Sequence, residues 1–432
     1  MDEPPTLSTL PAEMQKAVAD QLDTTDLTTF RLVSRDMQAA AEDAFLQCHF
    51  QKRTHVYSRY GLSRLAEITA QPHLLKKLDQ IELAVIDPTT FVESDAALRS
   101  EVMDNRLAEK WNAEMSQLVE HDIDIHLLTL IIRHLQFSGR LVSFSITGAT
   151  DYRYPISATG LSNAEQVLDV EHFQRPSDDY VLHHRYFRGD CSRMIRSLFS
   201  SVAITEYPLV DLDLCRDLSH GSLKPKALAG IDKSTFQKLC HSWQALSSLS
   251  MGFAWEEGRW YMAQDHGLQK LIASASNITT LSLYSDGQMD NEVSGQDPFA
   301  DRNPLDWFAA AFANHELQHV ELQGFNARSD QFVTFLLEHR ETLESVTLQT
   351  VSIQPHQCWS EVFRVLAGDL QLNSLLCFTL MRGSTAGEIV SIDEDEALEL
   401  EEPQAIKQCL DRVLEEGVKY VVWPGHRFQN ND

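Results

Sequence analysis

The sequence predicts an α/β chain in which an N-terminal trio of short helices is followed by an irregular strand–helix solenoid. Three observations carry this. Apolar residues recur at helical spacing three times between residues 10 and 48, a six-residue unit of the form L-x-x-L-x-L returns beyond residue 60, and an amphipathic helical pattern precedes nearly every copy of it. With 432 residues and 43% hydrophobic composition the chain can bury a large core. The division that follows is 1–50 for the helical domain and 51–120 for a helical linker with the first repeat. Residues 121–432 then form the irregular repeats and a C-terminal capping helix.

The trio is read element by element. Pro11 suits a first helical position because its missing N–H would be unpaired there, and Glu13 complements the helix dipole. Leu10, Met14, Val18 and Leu22 draw one stripe at every fourth residue. Asp23 and Asp26 have the side chains to cap a second helix carrying Leu27, Phe30 and Val33. Ser34 can cap a third, with Met37, Ala40, Ala41, Ala44, Phe45 and Cys48 at helical spacing. So small a unit rarely supports a core alone, so its apolar surface is expected to pack on the rest of the chain, on a partner, or on both.

These residues resemble the F-box, the motif that docks substrate receptors onto the Skp-type linker subunit of cullin–RING ubiquitin ligases. The resemblance lies in Leu10-Pro11 with Glu13, in Asp26-Leu27, and in Phe30-Arg31-Leu32-Val33-Ser34-Arg35. Met37 stands where that family usually carries a bulky aromatic. The resemblance implies a linker-subunit surface made by Leu10, Pro11, Met14, Val18, Leu22, Leu27, Phe30, Val33, Ser34 and Met37, with no catalysis at any of them. The competing reading is a small helical cap whose stripe packs against the domain behind it.

The repeated unit is found at Leu78/Ile81/Leu83, Leu141/Phe144/Ile146, Leu209/Leu212/Leu214 and Leu246/Leu249/Met251. It continues at Ile278/Leu281/Leu283, Leu317/Val320/Leu322 and Leu343/Val346/Leu348, and ends at either Leu372/Leu375/Cys377 or Leu375/Phe378/Leu380. Helical patterns such as Phe236-Leu239-Cys240-Trp243, Phe332-Phe335-Leu336 and Trp359-Val362-Phe363-Leu366 stand before the later copies. A strand followed by a helix at this period is the leucine-rich-repeat arrangement, here irregular because the usual internal Asn or Cys ladder is mostly missing. A non-repetitive α/β domain is the alternative. The whole plan resembles fungal F-box receptors, notably over 332–353 and at Leu65-Ala66-Glu67-Ile68 with Pro72.

Several stretches interrupt the period. A long helix is expected over 93–120, with Leu98, Val102, Trp111 and Met115 on one side, and HLLTLII at 126–132 reads as a core helix. Residues 148–190 and 284–304 read as loops, and 382–402 as an acidic loop that is more simply solvated than functional. Pro403 should open a final helix, with KYVVW at 419–423 as a closing edge strand.

Composition narrows the function. Lys plus Arg total 36 against 63 for Asp plus Glu, giving a formal net charge of −27 that disfavours nucleic acid and anionic membrane as partners. The seven cysteines form no C-x-x-C pair, and no run of signal-peptide or transmembrane character occurs, which points to a reduced cytoplasmic or nuclear protein. No phosphate loop, nucleophile elbow or HExxH motif is present. His121 and His126 are poorly spaced for joint coordination, and His183-His184 would point apart. No cofactor, metal or active site is expected.

Target binding has two candidate surfaces. One is the polar strand side, where the positions between the repeat's apolar residues point outward, represented by Gln318, His319 and Glu321. The other is FAWEEGRWY at 253–261, where Trp255, Trp260 and Tyr261 are potential anchors or else a buried cap. The expected function is therefore a substrate-recognition adaptor of a Skp–cullin–F-box ubiquitin ligase acting on an unknown target. The alternative is a ligase-independent interaction scaffold.

Overall fold

The computed structural model describes residues 7–85, 101–148, 159, 191–214, 228, 230–254, 266–286, 304–349, 351–354, 359–378, 381–382 and 398–416. It is a mixed α/β structure dominated by one ten-stranded, mostly parallel sheet. A 3₁₀ turn at Leu7–Thr9 leads into α1 (Ala12–Ala19), α2 (Thr24–Arg31) and α3 (Arg35–Phe50). Then come β1 (Lys52–Val56), α4 (Arg59–Thr69), α5 (Pro72–Leu75), β2 (Gln80–Val85), α6 (Glu101–Glu120), α7 (Ile123–Phe137) and β3 (Ser143–Gly148).

The middle of the chain holds α8 (Ser192–Thr205), β4 (Asp211–Leu214), α9 (Lys233–Trp243), β5 (Ser248–Ala254), α10 (His266–Ser274), β6 (Thr280–Asp286) and α11 (Pro304–Phe312). The last third holds β7 (His319–Gln323), β8 (Asn326–Arg328), α12 (Ser329–Glu338), β9 (Ser345–Gln349), β10 (Ser352–Gln354) and α13 (Trp359–Gly368). It closes with β11 (Ser374–Phe378), β12 (Met381–Arg382), β13 (Leu398–Glu401) and α14 (Pro403–Glu416).

Strand order in the sheet follows chain order, β1 to β7 and then β9, β11 and β13, and every neighbouring pair is parallel except β11 with β13. Parallel strands need a crossover, and the helices supply it. In register, Ile81, Phe144, Leu212, Leu249, Leu281, Val320, Val346 and Leu375 form one inward row. Leu83, Ile146, Leu214, Met251, Leu283, Leu322, Leu348 and Cys377 form the next. All sixteen are buried and belong to one continuous core. Helices cover that face with residues whose spacing marks them in the sequence, including Leu239, Trp243, Phe312, Phe335 and Phe363.

The register also amends the expected units. The last copy is Leu372/Leu375/Cys377, since Leu375 stands beside Val346 and Cys377 beside Leu348. In the second copy Leu141 is exposed and its neighbour Val142 is buried in its place. A further strand, β1, precedes the first copy, and its sequence hides it because KRTHV sets Arg53 and His55 opposite Ile81 and Leu83, where apolar residues would signal a strand. The closing antiparallel strand is Leu398–Glu401, which the acidity of 393–402 disguised. Residues 419–423 lie outside the described residues. A second sheet of three short parallel strands, β8, β10 and β12, follows β7, β9 and β11.

The two long helices behave as their patterns predict where described. Trp111 and Leu118 of α6 are buried, as are Leu128, Ile131, Ile132 and Leu135 of α7. One charged residue is buried with them. Asp124 is fully enclosed and accepts from Arg193 Nε at 2.8 Å, Arg193 Nη2 at 2.9 Å, Tyr57 Oη at 2.7 Å and Ser197 Oγ at 2.6 Å. Burial alone would raise the pKa of this carboxyl group, but the bonds from Arg193, Ser197 and Tyr57 hold it below the ordinary aspartate value. The cluster ties α7 and α8 to the residue that follows β1.

Candidate docking surface

The trio folds around a core of its own. Ala19, Leu27, Phe30, Met37 and Ala41 are buried together, with Val18, Leu22, Ala44 and Phe45 packed against them, and none of these belongs to the large core under the sheet. Local signals explain the geometry. Asp23 Oδ1 accepts from the backbone N–H of Thr25 at 2.9 Å and of Asp26 at 2.8 Å, which makes Asp23 the cap and leaves Asp26 inside the first turn. Ser34 Oγ accepts from Met37 N at 3.2 Å and starts α3. Pro11 sits at the N-cap, one residue earlier than expected, and its carbonyl accepts from Met14 N and Gln15 N.

The expected docking residues separate into two groups. Leu27, Phe30 and Met37 are enclosed in the trio's core, Val18 and Leu22 are half-buried against it, and Ser34 is occupied as a cap. These build the platform. Pro11, Met14 and Val33 stand exposed and Leu10 is half-buried, so they remain available at the surface. Two more side chains join them. Leu32 is 83% exposed beside Val33 in the turn between α2 and α3, and Leu7 is exposed just ahead of α1. Leu32 belongs to the resemblance motif but falls outside the helical stripe, so periodicity does not select it.

The face of α1 is rotated from the one its stripe suggests. Gln15 and Ala19 are its buried residues, leaving Met14 outward. Gln15 Nε2 donates to Leu10 O at 3.1 Å and to Leu7 O at 3.4 Å, pinning the preceding turn and its apolar side chains onto the helix. A buried glutamine at a helical core position carries no apolar signal, so the sequence does not reveal it. Around the trio, Lys16 pairs with Asp43 at 2.9 Å, and Arg31 pairs with Glu42 at 2.7 Å while lying 3.5 Å above the Phe45 ring.

The trio joins the sheet through α3 and β1 without an intervening loop. Gln51 O accepts from Asp79 N at 2.8 Å and Gln80 N at 3.0 Å, and Lys77 reaches Asp43 at 3.7 Å. Arg53 donates to His49 O, at the carboxyl end of α3, at 2.9 Å and to Thr159 Oγ1 at 2.7 Å, with the negative end of the helix dipole partly offsetting its charge. His55 is wholly buried with Nδ1 3.1 Å from Gly61 O, and its Nε2 has no hydrogen-bond partner among the described residues. Burial, with the nearby Arg53 charge, pushes its pKa down to about 3 against the opposing pull of the Gly61 carbonyl.

The second candidate surface is the outward strand face. His319 is exposed on β7, Glu321 is half-buried two residues on, and Gln318 is half-buried in the turn before the strand. Glu321 Oε2 accepts from Tyr284 Oη at 2.6 Å and from Ser282 Oγ at 2.9 Å, both on the neighbouring strand β6. The carboxylate is therefore held rigidly. Trp255, Trp260 and Tyr261 lie outside the described residues.

Chemistry is sparse around both surfaces. Among the described residues no group of three or more His, Cys, Asp or Glu side chains could hold a metal ion. His126 Nδ1 instead lies 2.8 Å from the Asp122 carbonyl one turn back. None of the described helices is long and apolar enough to cross a membrane. Neither a family model nor a curated protein matches the sequence.

Proposed function

We propose that this chain is a substrate-recognition adaptor of a Skp–cullin–F-box ubiquitin ligase. The trio would act as the F-box that docks the Skp-type linker subunit. The strand–helix body, read as an irregular leucine-rich-repeat-like solenoid, would hold a target protein on its outward strand face. Such a role is positional, because catalysis by the other subunits gains from a high effective concentration of target near the charged conjugating enzyme.

The observation that carries the reading is the pair Leu32–Val33. They belong to the resemblance motif Phe30-Arg31-Leu32-Val33-Ser34-Arg35, and they stand 83% and 63% exposed on a trio whose own core is already closed without them. A large aliphatic side chain gains about 1.5 to 3 kcal/mol when it is buried, so a few such residues at the centre of an interface can carry most of its affinity.

The test is co-expression of the full chain with a Skp-type linker subunit. The parent is expected to co-purify with it, and a Leu32→Asp/Val33→Asp variant is expected to lose the complex with its thermal unfolding unchanged. Absence of a complex with the parent would remove the ligase reading and leave an interaction scaffold. A complex that survives the double substitution would remove the assigned surface.

A further inference from the structure

The register lays out the outward face of the sheet row by row. Side chains alternate across a strand, so the residues between the buried rows point away from the helices. One such row, from β2 to β7, reads Glu82, Ser145, Asp213, Ser250, Ser282 and Glu321. The row beside it adds Asp211 on β4 and Glu401 on β13. Lys52 on β1 is the one lysine or arginine among the described residues of both rows, and it is already paired with Glu82 at 3.2 Å. Carboxylates therefore outnumber cations on this face.

Two positions in the row are built for a donor. Tyr284 Oη and Ser282 Oγ both donate to Oε2 of Glu321, and hydroxyl donors orient a carboxylate without cancelling its charge. Ser145 is a separate indication. It is only 4% exposed, stands between Glu82 and Asp213, and makes no hydrogen bond among the described residues. An enclosed hydroxyl without a partner costs free energy, which a donor laid over it would recover. Its place beside Asp213 offers the same donor a carboxylate.

We infer that this face binds an extended, arginine- or lysine-rich segment of the target protein, laid across the strands with one cation on Ser145 and Asp213 and a second on Glu321. The inference rests on the reading of this face as the target surface and adds what the target must offer it. Asp213 and Glu321 stand three strands apart, a span of about 14 Å at the usual strand separation. An extended chain advances about 3.4 Å per residue, so four residues cover that span, and residues i and i+4 of such a chain share one side. A second copy of this chain would bring acidic rows against acidic rows, and nucleic acid or anionic lipid would meet the same repulsion.

The test uses the full chain and two fluorescent, serine-rich peptides of about ten residues, long enough to cross the row. They differ only in the placement of two arginines, at i and i+4 in one and adjacent in the other. Fluorescence anisotropy should show the spaced peptide binding about tenfold more tightly, because only it reaches both anchors with hydrogen-bonded charge. Glu321→Gln and Asp213→Asn should each weaken its binding about tenfold, and Ser145→Ala about fivefold with thermal unfolding unchanged. Equal binding of the two peptides would overturn the inference, since general attraction to an acidic chain ignores spacing, and that comparison needs no variant to fold. Absence of binding by the parent would overturn it too, as would a dimer in sedimentation that Asp213→Asn dissolves. Co-purification with the linker subunit from the same preparation keeps the two readings apart. A parent that takes the linker but not the spaced peptide loses this inference alone, and one that takes the peptide but not the linker loses the ligase reading while the inference stands.

Discussion

Leu32, in the turn between α2 and α3, is 83% exposed, whereas Leu283, in the middle of β6, is wholly buried. The two residues are chemically identical and both sit in short apolar patterns; their neighbours differ. Leu283 has Met251 beside it on β5 and Leu322 on β7, and helices close the face above. Each added strand–helix unit covers the one before, so ten strands share one continuous core. The trio has three helices of 8, 8 and 16 residues and a core of five buried side chains, too few to cover everything apolar that it carries.

Cutting back one leucine in each region is the bluntest way to break this comparison. Leu283→Ala should cost about 3.5 kcal/mol of unfolding free energy, the middle of the range for a leucine deleted from a closed core. Leu32→Ala should change stability by less than about 0.5 kcal/mol, as for a surface residue without partners. Urea denaturation of both variants measures the contrast. Similar losses would mean that the turn is covered in solution and that the trio is not the open end of the molecule.

The charged cluster sharpens the same contrast, because the body satisfies even an ion internally. Arg193→Met would leave Asp124 buried without its cation, at a cost of about 3 kcal/mol. The sign with pH follows from the depressed carboxyl pKa: the stabilisation is complete above the unfolded value and is lost as pH falls through the lower folded value. Without Arg193 the protection weakens, so the variant should lose stability at higher pH than the parent during acid titration. Coincident acid-unfolding curves would show that Tyr57 and Ser197 suffice to hold the carboxylate.

Much of the body is legible in the sequence because one side-chain row repeats. Every inward position from Ile81 to Cys377 is apolar, and the eye needs only the spacing. What escaped does so for identifiable reasons. β1 places Arg53 and His55 in the inward rows, so its pattern reads as polar. β13 alternates leucine and glutamate within a strongly acidic stretch, and composition conceals its period. Leu141 and Val142 differ by one position, enough to turn a side chain from core to solvent. In the trio, spacing locates the helices but cannot divide platform from surface. That division follows from Gln15, a polar residue buried by two backbone carbonyls, and from Leu32, an apolar residue in a turn.

His55 marks the boundary between the two regions and supports the subtlest of the tests. It lies on β1, directly after the trio, and faces Leu83 in the first fully apolar position of its row. Its pKa is near 3 in the folded chain and about 6.5 when unfolded, so above pH 6.5 it is neutral in both states and costs nothing. As pH falls below 6.5 the unfolded chain takes up a proton that the folded chain refuses, and stability drops by about 1.4 kcal/mol per unit until the folded value is reached. At pH 5 this amounts to about 2 kcal/mol. His55→Leu continues the apolar row into β1 and forfeits only the contact with Gly61 O, while Arg53, the charged group acting on the site, remains. Thermal unfolding of parent and variant at pH 7.5 and pH 5 should then show a smaller acid-induced drop for the variant. Equal drops would mean that His55 is hydrated in solution, and that the root of the trio is as open as its tip.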